Sequence, residues 1–159
     1  MNGWALYGCL ALGFASALVA GVFQSFSDFV MAGLARTRTA GGIESMQQLN
    51  RTVMRSVFLA TFLALVPLTA GFAIYGVTTL DGSPRTLIVA ASAVYVVSVF
   101  GVTMFGNVPM NNALDALAYD SEAARDYWQR YTRQWTRWNH VRTLGAAATS
   151  ALYLLAVAQ

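Results

Sequence analysis

Four long apolar runs leave this chain only one solvent in which to fold. They extend from about Trp4 to Leu34, Val53 to Val77, Thr86 to Phe105 and Trp138 to Ala158. Each is close to the roughly 20 residues that a bilayer-crossing helix needs. In hydrocarbon an unpaired backbone amide costs several kcal/mol, so each run is expected to close its own hydrogen bonds as a helix. The expected fold is all-α, an integral membrane antiparallel four-helix bundle that forms one domain over residues 1–159. Only 11% of the residues are charged, against roughly 25% in soluble domains, which points the same way. The N-terminus has no basic n-region and its first apolar segment is of full span length, so that segment is expected to be retained.

Gly, Ala and Ser in the first run permit close helix packing, and Pro67 predicts a kink in the second. TTLDGSPR, between the second and third, reads as a tight turn. The other connections, Arg36 to Asn50 and Asn107 to Gln134, read as longer loops, the latter with a helical stretch from Ala118. Arg36, Arg38, Arg51 and Arg55 flank the first loop, and Arg125, Arg130, Arg133 and Arg137 occupy the second. The opposite side holds Arg85 alone. The positive-inside rule then places both long connections in the cytoplasm and both termini outside, in the inner membrane if the host is bacterial. Anionic lipid headgroups explain the net charge of +3 better than nucleic acid does, because no basic stripe lies away from the membrane edges. One cysteine (Cys9) and one histidine are too few for a disulfide or a typical zinc or copper site. Neither a Rossmann glycine pattern nor a P-loop occurs. No metal and no cofactor are expected.

The most unusual stretch is Asp126 to Thr143, DYWQRYTRQWTRWNHVRT, which holds three of the four tryptophans and the only histidine. On a helix at about 100° per residue, Trp128, Tyr131, Trp135, Trp138 and Arg142 share a stripe that Asn139 joins. Arg130, Arg133 and Arg137 face the other way, and His140 sits on the shoulder. No Pro or Gly interrupts Ser121 to Leu144, so the fourth span is expected to run back as one amphipathic cytoplasmic helix from about Glu122. Antiparallel threading brings four polar ends to the cytoplasmic side. The first span ends in Gln24, Ser27, Asp28 and Met31, and the second begins with Gln47, Asn50, Arg51 and Met54. The third ends in Asn107, Pro109, Asn111 and Asn112, and the fourth begins with Trp135, Trp138, Asn139, His140 and Arg142. Polar groups near hydrocarbon are expensive, tolerated when paired, and often functional, so four such sets at one depth suggest a shared pocket. Each set also has a structural reading. Asp28 and Arg142 would make an ion pair between the first and fourth spans. The asparagines would cap and bond helices, the tryptophans would form an interfacial belt, and His140 would be a satisfied structural residue.

GNVPMNNAL (Gly106 to Leu114) followed by WTRWNHVRT (Trp135 to Thr143), with SMQQLNR (Ser45 to Arg51) before them, resembles the anthrone-oxygenase-like family of small four-helix membrane proteins. The resemblance covers nearly the whole chain. Asn50, Asn107, Pro109, Asn111, Trp135, Trp138, Asn139, His140 and Arg142 match its motif positions, and Asp28 matches none. It implies oxidation of a planar aromatic, anthrone- or hydroquinone-like substrate with molecular oxygen as co-substrate. An anthrone anion reacts with dioxygen without a metal, so such a site needs a base, donors for an enolate or phenolate oxygen, and a dry aromatic slot. On this reading His140 is the base. Arg142, Asn139 and Asn107 are donors, and Trp135, Trp138 and Phe105 line the slot, with Asp28, Asn50 and Asn111 as further substrate contacts. The expected partners are the lipid bilayer and a hydrophobic aromatic small molecule, not nucleic acid. The alternative is a non-catalytic membrane protein that binds a lipid, a quinone or a partner subunit through the same cluster. A carrier is the weaker third reading, because four short helices with no broken span make a poor pathway.

Overall fold

The computed structural model describes residues 1–159, and five helices account for nearly all of them. Helix α1 (Gly3–Arg36), α3 (Val57–Thr79) and α4 (Gly82–Asp115) are long and apolar enough to cross a membrane, as expected of a membrane protein. The others are α2 (Thr39–Val53) and α5 (Glu122–Val157). Helix starts follow ordinary capping chemistry. Asn2 accepts from the Ala5 amide at 3.2 Å, Ser56 from Leu59 at 3.1 Å and Ser121 from Ala124 at 3.1 Å. Between α3 and α4 the chain reverses at Leu80 and Asp81, with Gly82 at φ +66°, a left-handed conformation that glycine adopts without strain.

Helix α3 includes Pro67 in its interior. Several local expectations need correction. The segment read as a loop from Arg36 to Asn50 is mostly helix α2, which buries Gly42, Ile43, Met46 and Gln47. Its two glycines and low apolar content argue against a helix on propensity, although Ile43, Met46 and Gln47 recur on one face, and the neighbours it packs on supply the stabilisation. Gln47 donates to the Leu114 and Leu117 carbonyls at 2.8 and 2.9 Å, fastening α2 to the end of α4. Nor does the third apolar helix end at Phe105; it runs through Pro109 to Asp115. Helix α5 is continuous from Glu122, with the Asp126 to Thr143 stretch inside it.

The core has two parts. One fills the apolar half with Cys9, Val19, Phe62, Leu65, Ile88, Tyr95 and Tyr153, among others. The other lies at the opposite end, where Met31, Ile43, Met46, Leu114, Trp128, Tyr131 and Trp135 bring α1, α2, α4 and α5 together. Helix α5 makes its most extensive pairing with α1 and its next with α4. Gly145 permits the close approach to α4, since a Cβ there would run into Ser98 and Val99. Between the two cores, α1 widens into a π-turn at Phe26–Val30, and α4 does so at Tyr95–Gly101 and Thr103–Asn107. Such turns break the helical phase and are frequent at functional sites.

Candidate functional site

The inner wall of the site is the buried face of α5. Trp128, Tyr131, Trp135, Asn139 and Arg142 are all at most 6% exposed. The Trp128, Tyr131 and Trp135 rings stack in succession, with centroids 5.5 and 6.2 Å apart. The ladder ends at Arg142, whose guanidinium lies 5.1 Å from the Trp135 ring centre and 4.3 Å from that of Phe23 on α1. One guanidinium nitrogen donates to Asn139 Oδ1 at 2.6 Å and another to Thr103 Oγ1 at 3.4 Å, while Nε has no partner. Asn139 is in turn fixed by α1, donating to the Phe23 carbonyl and to Ser27 Oγ, both at 2.6 Å.

Arg142 therefore sits inside protein without a carboxylate. The chain's single ion pair is Arg51 Nε to Asp115 Oδ1 at 2.9 Å, at the surface. Two cation–π contacts contribute about 0.5–2 kcal/mol each, whereas an effective desolvation penalty of several kcal/mol accompanies a buried ion. The arrangement leaves a positive charge only partly compensated.

That charge faces a cavity of about 420 Å³ between α1, α2, α3, α4 and α5, within the roughly 300–1,000 Å³ usual for small-molecule sites. Its apolar walls combine the rings of Phe23, Phe26, Phe58, Phe62 and Trp135 with aliphatic side chains such as Met46, Val53 and Leu59. Its polar lining includes Arg142, Thr103, Asn50 and Asn111. Asn111 Oδ1 accepts from both Tyr131 Oη and Trp135 Nε1 at 2.8 Å, which commits its oxygen and leaves its amino group free. Asn50 lies beside the Tyr131 phenol, yet its buried Nδ2 has no well-formed hydrogen bond. Exposed Leu49, Arg51, Met54, Asn112 and Asp115 mark the mouth. Burial pushes the Tyr131 and Tyr127 phenols above the usual tyrosine range, Arg130 offsetting part of the rise at Tyr127. Tyr131 is thus a donor here and not an anion. No three His, Cys, Asp or Glu side chains gather in one place. The donor set consists of amides, hydroxyls, the Arg142 guanidinium and, at the mouth, that of Arg51.

Of the residues singled out from sequence, Asn50, Asn111, Trp135 and Arg142 line this cavity, and Asn139 holds Arg142 from behind. Asn107 is buried beside it and donates to the Trp135 carbonyl at 3.2 Å, with Oδ1 unpaired. Four others lie outside and correct the expectation. His140 is exposed; on a 3.6-residue helix it lies about 140° from the centre of the buried stripe. Trp138 is 39% exposed at the stripe's edge, packed over Gly106. Phe105 is 88% exposed, because the π-turns of α4 shift the phase and turn Gly106 and Asn107 inward in its place. Asp28 is exposed and forms no ion pair with Arg142; it lies in the α1 π-turn, where Ser27 faces α5 instead. Sequence reading missed Phe23, Phe26, Phe58, Phe62 and Thr103. Phenylalanine pairs at i, i+3 and i, i+4 at the polar end of two apolar runs were the available signal.

Compared with known proteins, the chain matches the family model described as anthrone oxygenase over residues 43–152. No curated protein and no solved structure matches it. The matched segment starts in α2 and ends in α5, and it contains every polar residue lining the cavity.

Proposed function

The chain belongs to the anthrone oxygenase family, and from that premise we propose that it is a membrane-embedded oxygenase that oxidises a planar aromatic substrate without a bound cofactor. The observation that carries this reading is the aromatic cavity with the unpaired guanidinium of Arg142 on its wall. The residues have separable roles. Trp135 and the four phenylalanines hold the ring system flat and keep water away. Arg142 and the Asn50 amide donate to the substrate oxygen on which negative charge is delocalised. Asn139 positions Arg142, and Asn111 is anchored by Tyr131 and Trp135. An anionic anthrone carbon transfers one electron to dioxygen, the resulting radical pair closes a C–O bond, and the peroxide anion eliminates hydroxide, which the proton released to solvent on ionisation converts to water. One methylene and one O2 thereby become a carbonyl and H2O. His140 lies outside the cavity and takes no part in this scheme.

In the bilayer the apolar end of α5 serves as the fourth crossing of an antiparallel four-helix bundle. The arginine distribution puts α2, the cavity mouth and the amphipathic part of α5 in the cytoplasm, with both termini on the far side. A greasy substrate then reaches the cavity from the membrane edge.

A second reading, a binder of quinone or lipid without turnover, is favoured by one observation. The only carboxylate on the cavity is Asp115, at the rim and paired with Arg51, so no base faces the interior. Oxygen uptake by the protein in nanodiscs, given an anthrone or hydroquinone and corrected for spontaneous oxidation, separates the two. Stoichiometric uptake lost in Arg142→Met supports the oxygenase; saturable binding without uptake supports the binder.

A further inference from the structure

We infer that the cavity takes its ligand already ionised, as a planar aromatic anion whose charged oxygen meets Arg142. This rests on the assignment of the cavity as the substrate site, and it adds the charge state in which the substrate enters. Arg142 is 6% exposed, stays protonated as arginine does in proteins, and meets no carboxylate from any helix around it. From α1 it meets the Phe23 ring, from α4 the Thr103 hydroxyl, and from its own helix Asn139 and Trp135. The Tyr131 phenol nearby is kept neutral by burial. Beside Arg142 the wall offers two further donors, while the acceptors of the lining, Asn112 and Asp115, lie at the exposed mouth. Asn50 Nδ2 is buried beside the Tyr131 phenol with no well-formed hydrogen bond, and Asn111 has spent its oxygen on Tyr131 and Trp135. A wall of unpaired donors around an uncompensated cation is complementary to an oxyanion and a poor match to a neutral ligand.

The interior also lacks a group to accept a proton, since Asp115 at the rim is engaged by Arg51. The substrate's proton is therefore lost to solvent before entry, and the cavity selects the anion from the ionisation equilibrium. The five rings among the apolar walls match a planar aromatic body for the ligand.

Redox-inert probes test this independently of turnover. Anthracene-9-carboxylate and anthracene-9-carboxamide share a ring system, differ in charge and have no oxidisable methylene. Binding is read at neutral pH by probe quenching of tryptophan in phosphatidylcholine nanodiscs, with empty-disc partitioning subtracted. The expected result is about tenfold or greater preference for the carboxylate, falling towards unity in Arg142→Met. Asn50→Asp places a carboxylate in the same cavity and is expected to remove the preference as well; it decides the matter if Arg142→Met does not fold. Equal affinity for the two probes, no binding of the carboxylate, or a preference surviving in Asn50→Asp overturns the inference. Displacement of the carboxylate by equimolar oleate would identify an acyl-chain anion and overturn the aromatic class. Failure of the oxygenase reading shows separately, as absent oxygen uptake with probe binding intact.

Discussion

Midway along the spans, the Ser92 hydroxyl lies 2.7 Å from the Thr69 carbonyl, 2.9 Å from the Ile88 carbonyl and 3.0 Å from the Tyr153 hydroxyl. Tyr95 donates to the Phe62 carbonyl at 2.8 Å, and Thr149 to that of Gly145 at 2.9 Å. At the other end of the same helices, Arg142 Nε, Asn50 Nδ2 and Asn107 Oδ1 are equally buried and have no partner. In the apolar half only Ser16 shares that condition. Both halves are helix-packed and aromatic, so packing alone does not distinguish them. What differs is whether polar atoms are completed by the protein itself. The satisfied half holds helices together; the unsatisfied half is what a ligand would complete.

The strongest attack on that contrast is Arg142→Met. Turnover is expected to fall by about 10²–10³-fold, as for loss of an oxyanion donor. The thermal midpoint is expected to hold or rise, because an uncompensated buried charge is removed. Loss of fold and turnover together would place Arg142 with the structural groups and end the distinction. In the satisfied half the converse is expected. Gly145→Leu drives a side chain into Ser98 and Val99 and should cost about 1–3 kcal/mol by overpacking, measured by denaturant titration in detergent, with no selective loss of probe affinity in the folded fraction.

A paired comparison sharpens the point at smaller scale. Tyr153→Phe removes a completed hydrogen bond to Ser92 and should cost about 0.5–1.5 kcal/mol. Asn50→Leu removes a buried donor whose one neighbour, the Tyr131 phenol, it meets without a well-formed bond and should change stability by less than about 0.5 kcal/mol while weakening the anionic probe. The reverse order of stabilities would refute the comparison. Alkaline titration reports on the aromatic ladder. The folded protein holds the Tyr131 proton to higher pH than the unfolded chain does. Its contribution is therefore complete below about pH 10, the ordinary tyrosine value, and declines as pH rises beyond it. Midpoints measured from pH 8 to 11 should fall less steeply in Tyr131→Phe. The smallest effect is expected of His140→Ala, less than about 0.5 kcal/mol in stability and no change in oxygen uptake, since His140 is exposed and outside the cavity. A large loss of uptake would restore it as the base.

Membrane residence, the all-helical architecture and the continuous α5 were legible in the chain, because hydrocarbon thickness and the 3.6-residue repeat act locally. The buried face of α5 was legible almost to the residue: Trp128, Tyr131, Trp135, Asn139 and Arg142 lie inside, and only Trp138 strays to the edge. The choice between Arg142 and His140, two positions apart in one motif, was not legible. Chemistry by residue type favours the histidine as the reactive group, whereas the packing of α5 on α1 and α4 buries the arginine and leaves the histidine outside. Nor did local pattern show that α2 is a helix, that Ser27 rather than Asp28 meets α5, or that Asn107 rather than Phe105 turns inward. Those depend on π-turns and on contacts between residues as far apart as Gln47 and Leu117. That the apolar runs are helical, and which face of α5 is buried, could be read from the chain alone, since both follow from periodicity and solvent. Which polar atoms end up without a partner was decided only when five helices met, because satisfaction of a hydrogen bond belongs to a pair and no single residue carries it.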